Sequence, residues 1–177
     1  MSESPTHELA ARLARGEEAA FGEFYDACAD RLHRYLTSRL GSREAASDVL
    51  QTAFLRAVKS RKRFRGVENP VAYLFQIARN EAARVAKQGR KDELSLSADE
   101  AFGPAASVGG QSEDAEIVAA ALARLTAEDR EIVDLKIFAG LAFREIADVV
   151  GLPQGTVATR YRRALESLRP WLAQQLR

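Results

Sequence analysis

Residues 140–169 read GLAFREIADVVGLPQGTVATRYRRALESLR, and the fold of the chain turns on that stretch. Ala142–Val150 has helical periodicity, Gly151–Leu152–Pro153 breaks it, and a second helical pattern starts at about Gln154. Ala147, Gly151 and Val157 have the spacing of a helix-turn-helix. A small residue lets the two helices approach closely, glycine takes the positive φ of the turn at little cost, and the valine anchors the second helix inward. In that second helix Val157, Tyr161, Ala164, Leu165 and Leu168 share the inner face. Thr156, Thr159, Arg160 and Arg163 share the outer one, with Arg162 at its flank. Short polar groups near the N-terminus and arginines beyond them suit a helix laid in a DNA major groove. The alternative is an ordinary helical hairpin with a soluble basic face. Turn chemistry and arginine placement together favour the first reading.

Upstream, residues 115–125 form an Ala-rich helical pattern, and Thr126 with Asp129 resembles a capping arrangement for a helix running to about Phe138. Before that lies DELSLSADEAFGPAASVGGQSED, Asp92 to Asp114, rich in Ser, Gly, Ala and acids. Such a composition cannot bury enough apolar surface to offset its ordering entropy, so a domain boundary belongs there. The charge divides at the same place. Residues 1–91 carry +6, residues 92–116 carry −7 and residues 117–177 carry +2, which together give the chain's +1. Two basic blocks flanking one acidic connector argue for polyanion contact by the ends.

The N-terminal block also reads as helical. One helix is expected from about Thr6 to Arg15 and a second from about Glu17 to Leu40. Phe21, Phe24, Tyr25, Cys28, Leu32, Tyr35 and Leu36 form a core stripe on the second. A third helix follows Ser42, a suitable N-cap. Its inward stripe is Ala46, Leu50, Ala53, Phe54 and Ala57, and its opposite stripe is Asp48, Gln51, Thr52, Leu55 and Lys59. A leucine among those polar neighbours is either harmless or a docking surface for another protein.

Next comes the densest basic run, Arg56, Lys59, Arg61, Lys62, Arg63 and Arg65, with Phe64 inside it. It is either a solvated face or a site for single-stranded nucleic acid, where cations track phosphates and a ring stacks on a base. Asn69 and Pro70 then open a fourth helix, as N-cap and first helical residue. Its inward stripe is Leu74, Ile77, Ala78 and Val85. Its other stripe carries Tyr73, Gln76, Asn80, Arg84 and Lys87, groups able to read base edges and hold phosphates, or to form a plain amphipathic surface.

Composition narrows the class. A chain of 177 residues with 46% hydrophobic and 29% charged residues has a globular profile. Its longest apolar run, Ile117 to Ala123, is far short of the ~20 residues that a membrane helix needs. The N-terminus lacks a basic region followed by an apolar one, so an intracellular, cytoplasmic protein is expected. Cys28 is alone and the histidines are His7 and His33, which excludes a disulfide framework and argues against structural zinc. No cofactor is expected.

At these residues the chain resembles the bacterial RNA polymerase sigma factors of the extracytoplasmic function (ECF) class, minimal two-domain initiation factors. ASDVLQTAFLRA (46–57) is similar to the family's polymerase-binding helix, and NPVAYLFQIARNEAARVAKQGRK (69–91) to the helix that engages the −10 promoter element. The opening stretch, 140–169, is similar to the family's −35 reading helix-turn-helix. The resemblance implies an all-α fold of two small helical domains. These would be a region 2-like bundle over 1–91 and a region 4-like helix-turn-helix domain over 115–177, joined by a flexible acidic linker over 92–114.

It further implies that Asp48, Gln51, Phe54 and Leu55 dock on the clamp coiled coil of the polymerase's largest subunit. The loop carrying Arg61, Arg63, Phe64, Arg65 and Asn69 would capture a base flipped from the −10 element. Tyr73, Asn80 and Arg84 would flank it, with Gln76 and Lys87 on the same stripe. Arg144, Gln154, Thr156, Thr159, Arg160, Arg162 and Arg163 correspond to −35 contacts. The linker of the family threads toward the active-site and RNA-exit channels, where a segment of −7 can occupy a path built for RNA phosphates.

The implied partners are core RNA polymerase, promoter DNA as −35 duplex and −10 single strand, and an anti-sigma protein. No membrane insertion, small-molecule substrate or enzymatic activity is expected. The chain departs from the family at Ala45, Ser47 and Thr52, often acidic positions, and at Tyr73, where tryptophan is common. Arg84 replaces a frequent acid and Ala158 a frequent lysine, while Pro170 is expected to end or kink the last helix early. Two rival readings are a self-sufficient helix-turn-helix regulator and a nuclease. The first lacks an evident dimerisation element, and the second lacks paired carboxylates, since Asp48, Glu81 and Glu145 are dispersed.

Overall fold

The computed structural model describes residues 5–94 and 113–175, so most of the predicted acidic linker lies outside the described residues. Among the described residues every element is helical. In chain order they are α1 (Pro5–Arg15), α2 (Glu18–Leu40), α3 (Arg43–Lys59), a 3-10 helix (Arg61–Gly66) and α4 (Pro70–Leu94). The second block holds α5 (Glu113–Ala123), α6 (Ala127–Ile137), α7 (Phe143–Val150) and α8 (Gln154–Gln175).

Local chemistry sets the breaks. Ser42 Oγ accepts from the Ala45 amide at 3.2 Å, Asn69 Oδ1 from Ala72 at 3.1 Å and Thr126 Oγ1 from Asp129 at 3.2 Å. Each such cap contributes about 1 kcal/mol. Gly16, between α1 and α2, has φ +79°, a backbone conformation that favours glycine, while the Arg61 side chain that a Cβ there would press on is exposed and free to move. Pro170 does not end α8, which continues to Gln175. The turn beyond it is held from outside the helix, since the Arg124 guanidinium lies 5.5 Å from the centre of the Trp171 ring.

The front bundle closes on fully buried Phe24, Tyr35, Phe64 and Phe75 with Leu13, Leu32, Leu36 and Leu74. Phe64, which one of the two readings of the basic run placed against a base, is instead fully buried. Its ring packs edge-on against Phe21 and Phe24 at 6.2 Å and against Tyr73 at 5.2 Å, leaving it no exposed face. The basic residues around it stay outside, because burying an aromatic is favourable and burying an unpaired cation is not. Tyr25 was expected in the core but is 45% exposed, its ring 4.8 Å from that of Phe54. Leu165 likewise turns outward. On α4 the core is carried by Ala72, Leu74, Phe75, Ala78 and Ala82, with Ile77 and Val85 only half-buried.

The two blocks are packed together. Leu122, Val133 and Ala164 form a small core within the second block. Ile132, Leu135, Ala139, Leu141, Ile146, Val149 and Val157 join the front bundle's core instead. Helix α4 lies on α7, and α2 touches α6. Three short helices and α8 on their own bury a modest apolar area, so the surplus is covered by the neighbouring bundle.

Polar groups key that junction. Glu131, 6% exposed, accepts from Arg39 Nη1 at 2.8 Å and from Arg79 Nε and Nη2 at 2.8 and 2.9 Å, with the Tyr35 hydroxyl at 3.3 Å. Burial works against its charge, yet the two guanidiniums outweigh it and hold the carboxyl below its ordinary range. Asp134 accepts from Ser38 Oγ at 3.1 Å, and Arg130 Nε stands 3.7 Å away. Here burial wins and pushes the carboxyl up to about 6.

Two outcomes are expected. Phe64→Ala should destabilise the chain by about 3–5 kcal/mol in equilibrium urea unfolding. An unchanged midpoint would put the ring outside the core. The Asp134 carboxyl, raised in the folded state, is least unfavourable when protonated, and its cost grows as pH rises from about 4 to above 6. Asp134→Asn should therefore gain on the wild type across that window, by about 2–3 kcal/mol. Parallel melting-temperature curves for the two proteins from pH 4 to 7.5 would refute this.

Candidate nucleic-acid interface

The tail bundle builds its basic face from a fixed turn. Gly151, at φ +72°, returns its amide to the Ala147 carbonyl at 2.9 Å, and the Leu152 amide reaches the same carbonyl at 3.2 Å. This arrests α7 and starts α8 three residues later. Val157 is fully buried, which sets the rotation of α8. Gln154, Thr156, Thr159, Arg162 and Arg163 then stand exposed on its outer side. Phe143 and Tyr161 meet edge-on at 5.5 Å behind that face, and Lys136 Nζ caps the Phe143 ring at 4.8 Å. Glu145 closes the start of α7 by accepting from the Ala142 amide at 2.7 Å.

Two of the arginines expected there are engaged. Arg160 is half-buried, bonded to Glu128 and 3.6 Å from Asp129, both in the first turn of α6. Those carboxylates raise the affinity of its guanidinium for the proton. Arg144 reaches Glu68 of the front bundle at 3.4 Å. Nothing in helical periodicity foretells either contact, because both partners lie on other elements.

In the front bundle Arg61, Arg63 and Arg65 are exposed on the 3-10 helix, around the buried Phe64. Beside them a cavity of about 290 Å³ is lined by Val67, Glu68, Asn69, Ala72, Tyr73 and Gln76, with Asp148 of α7 as its far wall. Asn69 Nδ2 donates to Glu145 Oε1 at 3.4 Å, and the Gln76 amide donates to the Asp148 carbonyl. Tyr73 is half-buried with its hydroxyl 3.5 Å from Ser60 Oγ. Asn80, Arg84 and Lys87 continue along α4 and are exposed. Arg84 is held by Glu81, a carboxylate 2% exposed that also pairs with Arg56 at 2.9 Å.

A third surface lies between α2 and α3. Tyr25, Ala29, Asp30 and His33 face Ser47, Asp48, Leu50, Gln51, Phe54, Leu55 and Val58 across a groove of about 530 Å³. Leu55 is 55% exposed and Val58 40%, a contiguous apolar rim among polar groups. Phe54 is 8% exposed and serves chiefly as the floor beneath Tyr25. Sequence reasoning missed Tyr25 and Val58. Their signal was a core stripe one residue too wide and a valine on the leucine's side of α3. It also missed Glu131 and Asp134, whose signal was a pair of acids interleaved with Ile132, Val133 and Leu135.

No group of three or more metal-ligating side chains comes together among the described residues. No described helix is long and apolar enough to cross a membrane.

Known proteins carry the same organisation. The family profile of Sigma-70 region 2 matches residues 24–91, and that of Sigma-70 region 4 matches residues 115–168. The chain is 33% identical over 168 residues to the ECF RNA polymerase sigma factor BldN of Streptomyces coelicolor, covering 91% of this chain and 63% of that protein. It is 31% identical over 160 residues to the ECF RNA polymerase sigma factor SigL of Mycobacterium tuberculosis, covering 88% of this chain and 90% of that one. In fold it is similar to CnrH, solved in complex with the cytosolic domain of CnrY. The TM-score is 0.72 at 24% identity, with 97% of this chain and 99% of that chain covered.

Proposed function

We infer the working arrangement from one premise: this chain belongs to the ECF class of RNA polymerase sigma factors. It is a transcription initiation factor that binds core RNA polymerase and directs it to promoters, reading a −35 duplex and opening the −10 element. Catalysis belongs to the polymerase, so the chain itself is not an enzyme. It acts in the cytoplasm, where polymerase and chromosome are. An anti-sigma protein is its expected regulator, in keeping with the solved RpoE of Bartonella quintana in complex with the anti-sigma factor NepR.

The observation that carries the assignment of roles is the outer face of α8. Thr156, Thr159, Arg162 and Arg163 stand exposed on a helix whose rotation is set by buried Val157 behind a glycine turn. Short hydroxyls near the helix start and guanidiniums beyond are the groups that contact phosphates and guanine edges in a major groove. Arg160 joins them on leaving Glu128, and Arg144 on leaving Glu68.

The front bundle takes the other two tasks. Asp48, Gln51 and Leu55, with Tyr25 and Val58, offer the polymerase an apolar rim set among polar groups. Phe54 supports that rim from below. The cavity at Asn69, Tyr73 and Gln76 receives an unstacked −10 base, with Tyr73 as the ring available there in place of Phe64. Arg61, Arg63 and Arg65 hold the adjacent phosphates, and Asn80, Arg84 and Lys87 extend the track along α4. Capturing a base offsets the few kcal/mol needed to unstack it. Neither bundle alone binds DNA tightly; the polymerase holds both near the promoter and raises their effective concentration. A regulator working on duplex DNA alone would leave the groove between α2 and α3 without a purpose.

The direct test is run-off transcription with purified core polymerase on a promoter upstream of the chain's own gene, where a discrete transcript is expected. Arg163→Ala should cost about 1–3 kcal/mol of −35 binding by the holoenzyme, with relaxed preference at one base pair. An unaltered −35 preference would remove Arg163 from base reading. Leu55→Asp should lose core polymerase in a pull-down while keeping the wild-type helical circular dichroism. Full retention of core enzyme would exclude Leu55 from the interface.

A further inference from the structure

Two acids stand between Val49 and Lys91, Glu68 and Glu81, in a strongly basic part of the chain. Glu68 is exposed, whereas Glu81 is 2% exposed on α4 and flanked by two arginines. Arg84 donates to Glu81 Oε1 through Nε at 2.9 Å and through Nη2. Arg56 comes from α3 and sets Nη1 2.9 Å from Oε2, yet among the described residues that oxygen accepts no aligned hydrogen bond. One guanidinium is therefore fixed by bonds and the other is gathered by charge. Their side chains remain 60% and 51% exposed. Burying a carboxylate is costly, and an apolar residue of similar volume would pack at this place with little loss of stability. An apolar residue would not hold two cations side by side across the α3–α4 seam, because like charges repel.

We propose that Glu81 is a positioning residue for the −10 strand, assembling Arg56 and Arg84 into a clamp for one phosphodiester. Two guanidiniums and one carboxylate leave a single positive charge over, which one phosphodiester matches. A guanidinium carries five N–H donors. Arg84 commits Nε and Nη2 to Glu81, so its Nη1 hydrogens stay available, and Arg56 commits Nη1 alone. Paired, charge-assisted N–H donors of this kind hold the oxygens of a phosphate. The clamp also lies on the strand's path. Arg84 is on the same face of α4 as Tyr73, about three turns and about 16 Å along the axis. Ser60 ties the two ends together, since its hydroxyl donates to the Arg56 carbonyl at 2.7 Å and stands 3.5 Å from the Tyr73 hydroxyl. Base pocket and clamp thus share one scaffold. A negative charge near DNA ordinarily weakens binding. Buried beside its two cations, this one sets their geometry beforehand, so less side-chain freedom is lost when the phosphate arrives. The proposal rests on the reading of α4 as part of the −10 track.

The test uses holoenzyme assembled from the full chain and core polymerase and isolated by gel filtration. Binding of a fluorescein-labelled non-template −10 strand, taken from the promoter upstream of the chain's own gene, is followed by anisotropy over a range of KCl. Glu81→Gln keeps the shape and removes the charge. Glu81→Leu fills the same space with apolar atoms, which covers the case where a buried glutamine does not fold. Both should bind the strand about three- to tenfold more weakly than the wild type. The slope of log affinity against log salt should fall by about one. A residue acting only as a nearby negative charge gives the opposite sign, tighter binding on its removal. A purely structural residue shifts the unfolding midpoint and leaves the slope in place. Adding Glu81→Gln to Arg84→Ala should bring little further loss, because the parts of the clamp act together. Equal or tighter binding by the folded Glu81 variants overturns the clamp. Lys87→Ala and Arg61→Ala, in the track but outside the clamp, separate that failure from the reading beneath it. If they weaken strand binding while the Glu81 variants do not, the clamp alone is rejected; if neither set does, the −10 assignment of α4 falls as well.

Discussion

A carboxylate with 6% of its surface exposed needs positive charge within reach, and Glu131 finds it on the other bundle. Both guanidiniums that answer it, Arg39 from α2 and Arg79 from α4, belong to the front domain. Burial of Glu131 and docking of the two domains are therefore a single event. An ion pair of this kind adds little net stability, because desolvation consumes most of the attraction. Its effect is on register: the observed seating of α6 brings Arg39 of α2 and Arg79 of α4 onto the carboxylate together. The drive comes from the apolar surface of Leu135, Leu141, Ile146 and Val149, which is non-directional and would accept several seatings. Apolar area thus supplies the contact, and Glu131 selects its geometry.

Helix α4 bears the consequences. Leu74, Phe75 and Ala78 hold it in the front core, Glu81 is buried and neutralised by Arg56 and Arg84, and Asn69 with Gln76 meets α7. Three demands fall on three faces of one helix, so its polar residues are spoken for more fully than those of α8. The contrast separates the two DNA-facing surfaces physically. On α8 the outer face looks to solvent with the tail docked; on α4 the start of the polar stripe does not. A small family of caps makes this placement possible. Asn69 both starts α4 through the Ala72 amide and faces Glu145, so one side chain terminates a loop and marks an interface.

Much of the fold was legible because it rests on local chemistry. Ser42, Asn69 and Thr126 cap the helices that they were expected to cap, and Gly151 takes the left-handed turn before α8. Val157 faces inward, with Thr156, Thr159, Arg162 and Arg163 outward, as spacing alone required. The misreadings have a common cause. Phe64 and Tyr25 were sorted by neighbours in sequence, yet their positions depend on rings from other elements: Phe21, Phe24 and Tyr73 enclose the first, and the second lies against Phe54 of α3 with nearly half its surface exposed. Pro170 was judged by its own missing amide, while the turn after it is steadied by Arg124.

The family and the two-domain helical plan belong to the sequence. Helix period, cap residues and turn glycines act over three or four positions, and a linear pattern records forces of that range. The seating of the tail on the front bundle belongs to the tertiary structure. It is made by pairs far apart in the chain, such as Arg79 with Glu131, 52 positions on, and Arg31 with Ala139, 108 positions on. A helix face announces that it is polar or apolar; which surface will answer it is decided only when the chain has brought both into reach.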